Sequence, residues 1–466
     1  MANDDPTKNS NSMFNGTLSR RDFIKISAGT AVALSLGLYG CGTSTSDNNT
    51  LVNQTVEPVF FVHISDSHFG GDTTLGESQD PTMLKVIPKE LMSALVNEII
   101  PVVMPLATIH TGDLVNEGYQ LEPWQSYQDV FANTTMKYPE NYIEIPGNHD
   151  AKVSITTVNG EDIGDGRELF VQHSVIGQAL GNSGDKYGLT ELSSPSGTVR
   201  LVRTNTSTSE KESLTARNEE NINGYFTSAQ QQALLNDLSN SQPAMFSVVL
   251  GHHPITGPTP IAIGNDLMTD LVTAADAPIY LCGHVHKPDI MWSGKTIVIQ
   301  ADTFGRHGEP SSFYLVAYDS GVIAAKLITI DATPPFNFGW PLVFITSPAN
   351  SSLGNTDSDL GNVNDGTVHP YNNSYTAGNP NATPFTPDAT PTLRAMIFSP
   401  STNPITSVYY SLDGGPLSHE LKQTVGRPWE ALLNLQGLQP GSHTITVQAK
   451  SSDVQIGVDT ISFTVS

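Results

Sequence analysis

Cysteine is nearly missing from this 466-residue chain: only Cys41 and Cys282 are present, which excludes a disulfide framework. Basic residues are scarce too. Lys and Arg number 22 against 46 Asp and Glu, a formal net charge of −24. A surface of that sign repels phosphate backbones and argues against general nucleic-acid binding. It does not govern a local site, because a bound cation inverts the field around it. No apolar run is long enough to make a transmembrane helix of the mature protein. Charged residues make up 15% and apolar ones 38%, too apolar for a wholly disordered chain, and the length predicts two or more domains.

What is present begins with an address. Arg20 and Arg21 precede Phe23, Ile24 and Lys25, and residues 26–40 are then uncharged up to Leu38, Tyr39 and Gly40. A basic stretch, a short apolar stretch and small residues before a cut describe a bacterial export signal over residues 1–40. The paired arginines resemble the twin-arginine signal, which exports folded proteins. Residues 38–41 resemble a lipobox, with Tyr39 where a smaller residue is usual. That resemblance implies a lipidated Cys41 and membrane attachment through it. The predicted location is periplasmic or cell-surface. Residues 41–57 are small, polar and without periodicity, and read as a tether.

From residue 58 apolar runs alternate with helical patterns. The run at 59–62 reads as a strand buried on both faces. Leu91, Leu95 and Ile99 lie four apart beside Met92 and Val96, predicting an amphipathic helix over 88–100 with Pro88 in its first turn. Further strands are predicted at 107–109, 142–145, 246–250, 279–281 and 296–299. Two more, at 313–318 and 322–330, are joined by a hairpin at Ser320 and Gly321. Thr227 followed by Gln230 predicts a capping box for a helix that buries Leu234 and Leu238. The pattern is that of a layered α/β domain over residues 58–331 with some antiparallel pairing.

Five of these strands run into chemistry-bearing residues. They are Asp66 and His68; Gly112 and Asp113; Gly147, Asn148, His149 and Asp150; His252, His253 and Pro254; and Gly283, His284 and His286. Singly, each reads as a turn or a cap, since Asn and Asp satisfy their own backbone in loops. Together they bring carboxylates, imidazoles and an amide to one sheet edge, where α/β proteins build their sites. Nitrogen and oxygen donors without thiolate suit Fe, Mn, Zn or Co.

In that order the five motifs resemble the calcineurin-like metallophosphoesterase family, over roughly residues 58–330. The resemblance implies an αββα-type layered core and a dinuclear metal site with a bridging carboxylate. By the family pattern the bridge is Asp113. Asp66, His68 and His286 would complete one metal's shell, and Asn148, His252 and His284 the other's, with His253 the weaker alternative to His252. His149 would be catalytic, stabilising the phosphoryl transition state or protonating the leaving group, and Asp150 would orient it. His63 and His110 read mainly as packed residues beside the motifs, and Cys282 as an inert buried thiol. The implied reaction is phosphoester hydrolysis by a metal-bridging hydroxide on a small-molecule or envelope phosphoester. A phosphodiesterase is the first reading. A phosphomonoesterase or a non-catalytic cell-envelope binding protein are the alternatives. Substrate specificity would lie in residues 151–223, which carry no motif.

Composition shifts after residue 331. Residues 350–388 are dense in Asn, Gly, Thr, Ser and Pro and read as a polar loop. Short strands follow at 393–398, 407–412, 431–435, 443–449 and 460–465, after one at 341–346. Their spacing predicts a β-sandwich over 332–466, similar to Ig-like modules appended to exported enzymes. Every proposed ligand precedes it, so a chain ending near Ile330 is expected to fold and act alone.

Overall fold

The computed structural model describes residues 57–70, 81–152 (81–87 by backbone alone), 165–181, 187–207, 224–257, 260–305, 311–330, 336–354, 378–424 and 426–466. The export signal and nearly all of the tether lie outside these residues. So does most of the polar loop.

The first half of the α/β layers contains β1 (Val59–Ile64), α1 (Pro81–Ala94), β2 (Ala107–His110), α2 (Leu121–Phe131), β3 (Tyr142–Glu144), α3 (Gly166–His173) and α4 (Val175–Leu180). The second half contains β4 (Gly188–Ser194), β5 (Gly197–Arg203), α5 (Ser228–Asn240), β6 (Phe246–Leu250), α6 (Asn265–Ala274), β7 (Ile279–Cys282), β8 (Asp289–Ser293) and β9 (Thr296–Gln300). Two long strands, β10 (Ser311–Asp319) and β11 (Val322–Ile330), then return to the first sheet. That sheet has the order β11-β10-β1-β2-β3, and the second has the order β4-β5-β6-β7-β9-β8. β1, β2 and β3 are parallel, as are β5, β6, β7 and β9, whereas β10 is antiparallel to β1 with Val59 facing Tyr318.

Alternation along each strand explains why the apolar runs are continuous. Phe61, Ile109, Leu201, Val248, Leu281 and Ile299 meet between the two sheets. On the outer face of the first sheet, Phe60, Val62 and Ile64 pack on Leu91, Leu95, Trp124 and Phe170 from the helices. On the outer face of the second, Val202, Val249 and Val298 pack on Leu234, Met268 and Leu271. The result is a helix–sheet–sheet–helix stack. The predicted hairpin is present: Asp319 pairs with Val322, and Ser320 and Gly321 take φ of 53° and 91°.

Two local expectations are corrected. Pro88 is not in a first turn. The helix starts at Pro81 and carries Pro88 inside it, continuing into a π turn at Leu95–Ile99. Proline lacks the N–H that would bond four residues back, and the helix runs on without that bond. The capping box is half formed. Thr227 Oγ1 accepts from Gln230 N at 3.2 Å, but the Gln230 amide turns to the Asn205 backbone, accepting from N at 2.8 Å and donating to O at 2.9 Å.

The C-terminal region contains β12 (Leu342–Ser347), β13 (Thr392–Phe398), β14 (Ile405–Leu412), β15 (His419–Glu420), β16 (Lys422–Gln423), β17 (Pro428–Leu432), β18 (Gly441–Ser451) and β19 (Ile456–Val465). They form two antiparallel sheets, β12-β13-β17-β16 and β15-β14-β18-β19. Val343, Ile345, Leu393 and Ala395 of the first meet Val408, Ile445, Val447 and Phe463 of the second. The alternate residues of β12 and β13 do not face water. Leu342, Phe344, Met396 and Phe398 join the cluster under α1, with the Phe398 and Phe60 rings 5.4 Å apart. Polar bonds line the same seam. Asp319 takes a hydrogen bond from Thr346 Oγ1 at 2.6 Å and an ion pair from Arg394, and Lys326 Nζ reaches Asp459 at 2.8 Å. A catalytic domain cut at Ile330 would bare that seam. Among the described residues, no helix is long and apolar enough to cross a membrane.

Candidate metal centre

Because β1, β2, β3, β6 and β7 run parallel within their sheets, the loops that leave them gather at one edge. Backbone bonds stitch these loops together. Asp66 N donates to Gly112 O at 2.9 Å, His68 N to Asp113 O at 3.0 Å and Gly283 N to His252 O at 3.0 Å. Glycine is required where the loops touch. A Cβ on Gly147 would land on the Asp113 carboxylate, and one on Gly283 would land on Ser65 and Asp66. Asp66, His68, Asp113, His284 and His286 all hold positive φ between 46° and 77°. Such backbone is costly for residues with a Cβ and persists where the surroundings over-determine it.

The seven side chains singled out from the sequence come together, and all but His284 and His286 are fully buried. Their contacts fall into two groups that share Asp113. In the first, His68 Nε2 and His286 Nε2 are 3.0 Å apart, and Asp66 Oδ1 lies 3.3 Å from His286 Nε2 and 3.9 Å from His68 Nε2. In the second, Asn148 Oδ1 is 3.0 Å from both His252 Nε2 and His284 Nδ1. Asp113 Oδ2 stands between them, 3.8 Å from His68 Nε2 and 3.3 Å from His252 Nε2. One donor atom from each of Asp66, His68, Asp113 and His286 lies within 4.8 Å of the other three, the spacing of a group that can hold a metal ion.

The donor chemistry fits a cation. The ring nitrogens of His68 and His286 crowd each other where an ion would separate them, and His68 Nδ1 has no hydrogen-bond partner among the described residues. His252 donates Nδ1–H to Thr111 O at 2.8 Å, which aims Nε2 into the site. Electrostatics agree. Burial alone would raise Asp66, yet the hydrogen bond from His286 and the charges of His286 and His252 hold it below the ordinary carboxylate range. Asp113 is likewise held well down against burial, chiefly by His252 and His149. Burial opposes a charge on His252, but Asp113 raises it to about 9. Burial and the charge of His252 lower His284 to about 4, and burial and His149 lower His68 well below its usual value.

His149 lies beside the first group, its ring 4.6 Å from that of His68 and edge-on to it. Its backbone N–H donates to Asp113 Oδ1 at 2.8 Å, and its ring Nδ1–H donates to Asn116 O at 2.8 Å. This corrects the expectation that Asp150 orients it. The buried Asp150 carboxylate accepts instead from the backbone N–H groups of Gly147, Val115 and Leu114, at 2.8, 3.0 and 3.2 Å. Three converging amides take up the Asp150 carboxylate, so Asp150 shapes the loop rather than the imidazole. Burial and the Asp113 charge push it up to about 8.

The remaining candidates lie behind the site. His253 is fully buried, with Thr206 Oγ1 at 2.9 Å from Nδ1 and its ring 4.2 Å from that of His284. His110 Nε2 meets Ser67 Oγ at 2.9 Å and His63 Nε2 meets Thr111 Oγ1 at 3.0 Å; burial lowers both histidines to about 3. Cys282 is buried, its thiol pushed well up by burial. Sequence reasoning missed Asn116 and Thr111, which act through backbone carbonyls that no residue type announces.

A stack of two mixed sheets between helices, with acidic and imidazole donors converging beyond parallel strands, defines a metal-binding α/β hydrolase core. Residues 61–288 match the family described as calcineurin-like phosphoesterase, and they form a calcineurin-like metallophosphoesterase domain. No curated protein sequence matches the chain. Among solved structures, a dimetal phosphatase from Danio rerio is similar at 13% identity and a TM-score of 0.43, covering 59% of this chain and 100% of that one. A purple acid phosphatase from yellow lupin, Lupinus luteus, is similar at 11% identity and a TM-score of 0.39, covering 59% of this chain and 52% of that one. A phosphopantetheinyl hydrolase from Mycobacterium tuberculosis is similar at 15% identity and a TM-score of 0.33, covering 53% of this chain and 90% of that one.

Proposed function

We propose that the chain is an exported, dinuclear metal-dependent phosphodiesterase. The observation that carries this reading is the pair of donor groups sharing Asp113 Oδ2, which lies 3.8 Å from His68 Nε2 and 3.3 Å from His252 Nε2. Asp66, His68 and His286 would hold one ion, Asn148, His252 and His284 the other, and Asp113 both. When bound, two divalent ions supply Lewis acidity that acidifies water and offsets phosphoryl charge. The protein's own groups do the rest. Thr111 O and the His149 N–H fix the lone pairs of His252 and the set of Asp113. His149 Nε2 delivers a proton to the departing oxygen. The tautomer left behind carries Nδ1–H, the one that Asn116 O holds.

A diester suits the local charge. Among the described cations near this loop cluster, Lys152 is paired with Glu117 at 3.2 Å, and Lys287, next to His286, is exposed to solvent. A singly charged diester needs less compensation than a dianionic monoester. The test is turnover of bis(p-nitrophenyl) phosphate against p-nitrophenyl phosphate after loading with Mn or Zn. Preference for the monoester overturns the diesterase reading, and inactivity on both with metals bound favours an envelope-binding protein.

The address and the C-terminal module complete the proposal. Arg20 and Arg21 would direct twin-arginine export, Cys41 would carry a lipid anchor, and the C-terminal sheets would be an Ig-like module. Cys41→Ser should release the exported protein from the membrane fraction; unchanged fractionation defeats the anchor.

A further inference from the structure

Asn116 lies within the loop after β2, where Asn116 N donates to Phe69 O at 2.9 Å and ties this loop to the one leaving β1. Its carbonyl oxygen receives two donors. One is the His149 ring Nδ1–H at 2.8 Å, and the other is Lys152 Nζ at 3.1 Å. Lys152 is only 7% exposed, and its ammonium also reaches Glu117 Oε1 at 3.2 Å. The backbone closes the same knot. Gly118 N and Lys152 N both donate to His149 O, at 3.1 and 3.3 Å, and Gly166 N donates to Lys152 O at 2.9 Å. Gly118 and Gly166 both press on the Asp150 carbonyl so closely that neither has room for a Cβ.

Burying an ammonium is a poor means of stabilisation, since a well-packed apolar side chain of the same length would cost less. The arrangement makes sense as geometry. A carbonyl oxygen has two lone pairs. Lys152 occupies one and so aims the other at the imidazole. Without it the Asn116 peptide can rotate, and the ring it holds moves with it.

We propose that Lys152 is a positioning residue for His149, acting through the Asn116 carbonyl, and that it tunes the step in which the leaving group departs. The inference rests on the reading of His149 as the group facing the substrate. The Lys152 ammonium meets the Asn116 carbonyl that also holds His149, and its effect is expected to pass through that ring.

The experiment is a double-mutant cycle in the metal-loaded full chain, comparing wild type, Lys152→Met, His149→Ala and the pair. Each is assayed on aryl and alkyl phosphodiesters, with metal content measured alongside. Misplacing a reacting group by about 1 Å can cost roughly 100-fold, so Lys152→Met should lose roughly 10- to 100-fold on alkyl leaving groups. It should lose little on nitrophenolate, which departs unaided, and metal content should stay at the wild-type level. Lys152→Arg, which keeps a donor, should restore most of the rate. In the His149→Ala background Lys152→Met should change nothing further. An equal loss in both backgrounds, or a loss independent of the leaving group, overturns the proposal. Should Lys152→Met fail to fold, Glu117→Gln, at a more exposed position, loosens the same ammonium and should give the same signature at smaller size; its absence overturns the proposal equally. The underlying reading fails separately, if His149→Ala alone keeps both metals and full activity on alkyl esters.

Discussion

In the loops leaving β1, β2 and β7, five non-glycine residues hold left-handed backbone, half of the ten such residues described; in the C-terminal sheets there are two, Asp413 and Val454. Val454 is 65% exposed and Asp413 lies on an open turn, where water relieves any unmet polar group. The five in the loops are instead Asp66, His68, Asp113, His284 and His286, closed in by neighbouring backbone. His284 N donates to Asp66 Oδ2 at 3.0 Å, and Asp66 N donates to Gly112 O. Each such residue costs on the order of 1–3 kcal/mol. One region concentrates strain and buried charge at a site; the other keeps its strain at the surface and buries charge at the seam, in the pair of Arg394 with Asp319. The stability behind the first must come from its surroundings, and the seam with the C-terminal sheets is part of them.

The contrast can be broken most strongly at its centre. Asp113→Asn should lower turnover by at least ~10³-fold and strip both ions, since a neutral amide cannot offset two cations. Metal analysis and turnover check this; two bound ions with normal rates defeat the shared-carboxylate assignment. Next comes the seam. A chain ending at Ile330 removes Leu342, Phe344, Met396 and Phe398 from the cluster that holds Phe60, and each is worth about 1.5–3 kcal/mol of burial. Thermal unfolding of that chain should be broad or absent. A sharp transition would restore the independent catalytic domain that the motif positions predict.

The third test uses pH. Burial pushes Glu144 up to about 7 from an ordinary 4.5, against hydrogen bonds from Tyr127 and Ile176. An acid raised on folding stabilises fully below its unfolded value and loses that contribution as pH rises to the folded one. Wild type should therefore weaken between pH 4.5 and 7 relative to Glu144→Gln, by up to ~3 kcal/mol. A constant difference across that range would show that Glu144 ionises freely. The smallest effect should come from the other region. His443 is raised by its hydrogen bond to the exposed Asp413, 2.7 Å away. His443→Gln should cost less than ~1 kcal/mol at neutral pH and show little of it in high salt. A larger cost would show that this exposed pair carries more of the stability of the C-terminal sheets than surface charges usually do.

Legibility in the sequence followed the same division. β1, β2, β6, β7 and the β10–β11 hairpin announce themselves as apolar runs because both of their faces are covered, and the residues that follow them mark the site. The β4–β5 hairpin escaped notice. Its inward residues Leu192, Val199 and Leu201 alternate with Glu191 and Arg200, Arg203 follows on their own face, and the buried arginines disguise the strand. The left-handed loops were equally silent, since Asp and His do not signal positive φ as glycine does. The partner of His149 was misassigned to Asp150 because adjacency in sequence does not reveal which side of a tight turn a carboxylate faces. The faces of β12 and β13 were legible as apolar, but alternation cannot say that Phe344 and Phe398 pack on a different layer from Val343 and Ile345.

The place of β1 in its sheet sets a schedule for synthesis. β1 lies between β2 and β10, and Val59 meets Tyr318. A chain emerging from the ribosome can pair β1 with β2 early, but the other edge of β1 stays bare until β10 has been made. Asp66 and His286 are kept apart for nearly as long. Contacts between such distant segments carry a loop-closure cost and slow folding. Closure of the first sheet around β1 therefore waits until β10 has been made.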